Sequence, residues 1–163
     1  MSSTLSGLPG AAEVRTLLDG LVDRGVTAAL EATPVLLGRD VRIVASYVDD
    51  TAAVRAVVLL DLELGAALGA ALALVPAQRV GVAVGDGAVP EDLADNTREV
   101  LNVAASLFNC DDVHLKLRDV AVAPEPVHGP TVDFLRRPGR RADVRVDVPG
   151  YGAGVLGIVL DAG

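Results

Sequence analysis

The stretch PEDLADNTREVLNVAASLF, Pro90 to Phe108, describes one helix with two chemically different sides. Pro90 suits a first helical position, and Glu91 and Asp92 follow in the first turn, where the helix dipole favours negative charge. Asp95, Glu99, Asn102 and Ser106 are spaced by four, three and four residues. At ~100° per residue they fall within an arc of about 60°, with Leu93, Val100, Leu101, Ala104 and Phe108 on the opposite side. Any amphipathic helix needs a solvated face. Asn102, however, is a poor helix former in mid-helix, where Lys, Glu or Gln would solvate the surface equally well. The stripe is therefore the candidate functional face.

Upstream, Gly85-Asp86-Gly87 reads as a turn leading into this helix. Leu62 to Val75 has helical periodicity with Ala and Leu nearly all round, which predicts a helix buried on most of its surface and ended by Pro76. Gly65 and Gly69, four apart, allow close backbone approach to a neighbour within the fold. Val41 to Val48 alternates, and Val54 to Leu60 is a β-branched run after Asp49-Asp50-Thr51, so the two predict a hairpin. Residues 11 to about 32 read as a helix on the spacing of Val14, Leu17, Leu18, Leu21, Val22 and Gly25, closed by Pro34 and Gly38.

Downstream, Val113, Leu115 and Leu117 alternate with His114, Lys116 and Arg118, which predicts a strand with one wet face. Pro124, Pro126 and Pro130 interrupt regular structure. A strand is then expected near Thr131 to Leu135, followed by a solvated hairpin tip at Arg136 to Arg141, a secondary candidate for partner contact. Strands over Ala142 to Val148 and Val155 to Leu160 complete the chain. This order predicts an α+β fold, a mostly antiparallel sheet packed against helices, with a flexible N-terminus at 1–10 and a single domain over 11–163.

The composition narrows the chemistry. At 163 residues and 51% apolar, the chain is long enough for a substantial core, and a net charge of −8 disfavours nucleic acid or an anionic membrane as partner. The most apolar run, Val57 to Val75, is interrupted by Asp61 and Glu63, leaving about a dozen clean residues against the ~20 needed to span a bilayer. With no signal-peptide pattern at the N-terminus, the expected location is cytoplasmic. Cys110 alone forms no internal disulfide and reads as a small apolar residue at a helix end. His114 and His128 give no metal-ligand spacing, so no metal site is expected. The match Gly152-x-Gly154-x-x-Gly157 to a dinucleotide fingerprint is set aside, because turn and strand glycines account for it.

An Asn side chain does not titrate near neutral pH, but it can orient water. In phosphoryl hydrolysis a water-orienting residue supplies much of the catalysis. Asp95, Glu99, Asn102 and a Pro about two dozen residues on, Pro124 or Pro126, resemble the signature of the CheC/CheX/FliY chemotaxis phosphatases, and the element order resembles the CheX type. The resemblance implies hydrolysis of the aspartyl phosphate on a CheY-like receiver domain. Asn102 would then orient the water and Glu99 would bridge to the receiver's lysine, with Asp95 and Ser106 contacting the partner. The chain would need no cofactor of its own, since the Mg2+ belongs to the receiver. The first helix offers only Glu13-x-x-Thr16 in place of a second Glu-x-x-Asn, so the resemblance implies one site per chain in a homodimer. The alternative it leaves open is a non-catalytic module of the same fold that docks a receiver or flagellar-switch partner.

Overall fold

The computed structural model describes residues 7–109 and 112–162. Residues 1–6 of the expected flexible N-terminus, and Cys110, lie outside the described residues. The elements in order are α1 (Ala11–Val22), β1 (Thr27–Leu30), β2 (Val41–Val48), β3 (Val54–Asp61), α2 (Leu62–Leu72), α3 (Gln78–Asp86), α4 (Glu91–Val103), β4 (Lys116–Val122), α5 (Gly129–Arg136), β5 (Gly139–Val148) and β6 (Gly152–Asp161). A short 3-10 turn precedes β2, and a longer one, Ala104–Phe108, continues α4. The fold is α+β, as the sequence predicts.

All six strands form one antiparallel sheet in the order β1-β5-β6-β3-β2-β4. The predicted hairpin is β2–β3, joined at Asp49, whose carboxylate accepts from the Thr51 and Ala53 N–H groups. Residues of alternate parity serve two cores. Ile43, Ala45, Tyr47, Val58, Leu60, Ile158 and Leu160 meet α1, α2 and α4 on one side, while Val44, Val57, Leu59 and Val159 meet Leu36 and Phe134 of α5 on the other. With both faces covered, β2 and β3 are buried along most of their length, and the alternation visible in sequence separates two cores rather than core from water.

Three expectations are corrected. The first helix ends at Val22, not near residue 32. Asp23 turns into the left-handed region (φ 49°), Gly25 follows at φ 72°, and the Asp19 carboxylate accepts the N–H groups of Gly25 and Val26, so the chain leaves the helix and Thr27–Leu30 pairs with β5. The expected strand at Thr131 to Leu135 is helix α5. Pro130 sits in its first turn, where a missing N–H costs nothing, and Thr131 and Phe134, three apart, are the buried pair. Consequently Arg136 to Arg141 is not a hairpin tip. It joins α5 to β5, and two of its cations are turned to internal partners: Arg140 Nε donates to the Asp161 carbonyl at 2.9 Å, and Arg141 Nε to the Asp143 carboxylate at 2.9 Å. Helix α3 is an element the sequence reading lacked, in a segment read as leading only to a turn. Gly87 at φ 71° is its C-terminal stop.

Candidate functional site

Pro90, in extended conformation, caps α4, so the helix begins at Glu91, one residue after the predicted start. Asp92 in that turn accepts two bonds from Arg79 of α3, at 2.8 and 2.9 Å, and this guanidinium draws its carboxyl below the ordinary range. Leu93, Ala94, Val100, Leu101, Ala104 and Phe108 are buried. Thr97, on the same side, is buried as well.

Helix α2 is the bed on which α4 lies. A Cβ placed on Gly69 would fall 2.3 Å from the Leu93 carbonyl oxygen, so the two backbones approach more closely than any side chain permits. Polar contacts fix the pair in register. The Thr97 hydroxyl lies 2.7 Å from the Gly65 carbonyl oxygen and 3.0 Å from that of Leu93, and Asn96 Nδ2 donates to the Gly69 carbonyl at 3.0 Å. Both groups look like spacers in the sequence. Their signal was the pair of glycines four apart on the facing helix.

Asp95, Glu99, Asn102 and Ser106 are all exposed, yet the structure divides them. Asp95 accepts from Arg98 at 2.9 Å, and the same guanidinium reaches Glu91 at 3.2 Å and Glu125 at 3.1 Å. Glu125 also accepts the Val122 N–H at 3.0 Å, so Arg98 ties the Pro124 loop to the helix. Sequence reasoning missed this role of Arg98. Ser106 stands on the 3-10 turn, where winding tightens from 3.6 to about 3.0 residues per turn and carries it out of the α-helical stripe. It lines an open cleft of about 390 Å³ with Ala12, Glu13, Thr16, Leu17 and Leu107. Glu13 there accepts the Gly10 N–H at 2.9 Å, closing the start of α1.

Glu99 and Asn102 remain, three residues apart and both exposed. Neither side chain has a hydrogen-bond or ion-pair partner among the described residues. An unpaired carboxylate and an amide one turn apart on a braced helix can accept from a cation and hold a water or a polar group of a visiting molecule. His114 is exposed ahead of β4, and His128 precedes α5. Among the described residues, no group of three or more His, Cys, Asp or Glu is placed to hold a metal. No helix there is long and apolar enough to cross a membrane.

The architecture, one antiparallel sheet packed against helices, is the fold of FliM middle-domain, FliY and CheC-like structures. No protein-family model matches the sequence, and no curated protein matches it. Among solved structures, the FliM middle domain of Vibrio alginolyticus is similar over 93% of this chain and 88% of its own, with 12% identity and a TM-score of 0.60. Thermotoga maritima FliY is similar over 95% and 84%, at 12% identity and a TM-score of 0.55. A chemotactic CheC-like protein of Shewanella oneidensis is similar over 94% and 95%, at 13% identity and a TM-score of 0.50.

Proposed function

We propose that this chain hydrolyses the aspartyl phosphate of a response-regulator receiver domain. Asn102 orients the attacking water, and Glu99 engages the cationic side chain of the receiver's phosphorylation site. One observation carries the reading: Glu99 and Asn102 protrude side by side, without partners among the described residues, from a helix that polar and close-packed contacts hold against α2. Fixed orientation is what a non-titrating amide needs in order to act, because it contributes position rather than proton transfer. Asp95 meets the partner together with Arg98, and Ser106 lies at the edge of the contact. The magnesium that phosphoryl transfer requires belongs to the receiver, and the chain acts as a homodimer with one site per copy.

The test is the decay of phosphorylated receiver domains with and without the protein. Wild type shortens the half-life, and Asn102→Ala loses at least tenfold of that acceleration, about 1.4 kcal/mol in barrier. Unchanged decay across the receivers tried, or full activity in Asn102→Ala, sinks the proposal. A second reading, docking without hydrolysis, takes its support from the similar fold of FliM in the FliG–FliM complex of H. pylori. It predicts a receiver or flagellar-switch partner retained on the protein with its phosphate lifetime unaltered.

A further inference from the structure

Two fully buried hydroxyls grip α4, one ahead of Glu99 and one between Glu99 and Asn102. Thr97, two residues before Glu99, reaches across to the Gly65 carbonyl of α2. Tyr47, on β2, donates its hydroxyl at 2.6 Å to the carbonyl of Leu101, the residue immediately before Asn102. Its ring packs on Phe108 with centroids 5.1 Å apart. The α-helix gives way to the 3-10 turn two residues beyond Leu101, so the tyrosine holds the backbone close to where the winding changes.

Phe would fill the same space against Ile43, Ala45 and the other apolar residues of this core. The hydroxyl therefore adds nothing to packing, and what it adds is a bond to one carbonyl in a region from which water is excluded. There, a hydrogen bond resists rearrangement because breaking it strands a buried polar group. Pinned at Thr97 and at Leu101, the turn that carries Glu99 and leads directly into Asn102 resists swivelling about its axis and shifting along it.

We infer that Tyr47 and Thr97 are positioning residues for Glu99 and Asn102, setting the direction in which the carboxylate and amide leave the surface. This rests on the reading of Asn102 as the group that orients water. Neither hydroxyl touches the partner, so their removal lowers kcat and spares KM.

The experiment measures receiver dephosphorylation by full-length Tyr47→Phe, Thr97→Val and Thr97→Ser. Ile158→Val serves as a control in the same core, at a side chain that makes no hydrogen bond to α4. Tyr47→Phe and Thr97→Val are expected to lose at least fivefold in kcat with KM within twofold, Thr97→Ser to recover most of it, and Ile158→Val to keep wild-type kcat. Unchanged kcat in Tyr47→Phe and Thr97→Val, or an equal loss in Ile158→Val, overturns the inference. Amide hydrogen exchange supplies a readout independent of activity: residues 99–105 should exchange at least tenfold faster in Tyr47→Phe, with α1 unaffected. If Asn102→Ala proves as active as wild type, the phosphatase reading falls, and exchange alone decides whether the two hydroxyls hold this turn. Unaltered exchange in α4 then overturns the inference.

Discussion

Replacing Gly69 with Ala tests whether the α2–α4 contact sets the geometry of the site. The new Cβ would lie 2.3 Å from the Leu93 carbonyl oxygen and 2.7 Å from the Thr97 hydroxyl, and real Cβ atoms essentially never approach closer than 3.0 Å. The obstacle is backbone, so α4 must retreat by at least 0.7 Å, the difference between 3.0 and 2.3 Å. A retreat of that size weakens the bonds from Thr97 and Asn96 to α2, each worth a net ~1 kcal/mol. Overpacking strain adds about 1–3 kcal/mol, and the better helix propensity of Ala returns up to ~1 kcal/mol. The balance is a loss of about 2–4 kcal/mol. For a chain of this length that corresponds to a fall in Tm of roughly 5–12 °C, measurable by circular dichroism. If Gly69→Ala melts at or above the wild-type temperature, the helices are not held by the glycine contact and the argument for a braced site fails.

The exposed Gly81 provides the opposite case, since nothing lies within 4 Å of its would-be Cβ in mid-α3; Gly81→Ala should stabilise by about 0.5–1 kcal/mol in urea titration. Asp143→Ala should cost about 3 kcal/mol in the same assay and expose the 31–37 segment to protease, because it deprives Arg141 and the Val35 and Leu36 N–H groups of a buried acceptor. Acid should erode stability. The Thr51 hydroxyl, with other donors, holds the Asp49 carboxyl down at about 2, and at Asp143 burial pushes upward but Arg141 and two amides outweigh it, leaving that carboxyl below the ordinary range. Both carboxyls contribute stability above the unfolded carboxylate pKa near pH 4, and both lose it as pH falls through their folded values. The melting temperature should drop below pH 4, more gently in Asp49→Asn; an identical acid limb in that variant would contradict the assignment.

What was legible in the sequence followed from period and punctuation. The β2–β3 hairpin, α2 and α4 were visible because their apolar residues recur cleanly and Asp49-Asp50-Thr51, Pro76 and Pro90 mark their limits. The pattern of α1 runs on past its end only if Gly25 counts with the apolar stripe, whereas Asp23 and the Asp19 carboxylate make the sequence a stop. α5 resembles a strand in sequence because eight residues give the helical period only about two turns in which to show itself. α3 is hidden in the sequence for a related reason: Gly81 and Gly85 dilute its apolar pattern, and only Val80 and Ala83 are buried.

At the site, the sequence revealed which side chains face water but not what holds them. Exposure of Glu99 and Asn102 follows from their angles around the helix, an intrinsic property of α4. Their bracing comes from residues far away in the chain, Gly65, Gly69 and Tyr47, joined only when the sheet and helices assemble. The stripe also concealed a break, because equal spacing in sequence implies equal rotation only while the winding stays at 3.6 residues per turn. Beyond Val103 it does not, and Ser106 faces the cleft against α1. Asp95 is drawn toward Arg98 by an i,i+3 ion pair that the stripe also contained. Four residues with one periodicity thus resolve into a pair free to meet a partner and two neighbours with attachments or surroundings of their own, which is why the catalytic proposal rests on Glu99 and Asn102 alone.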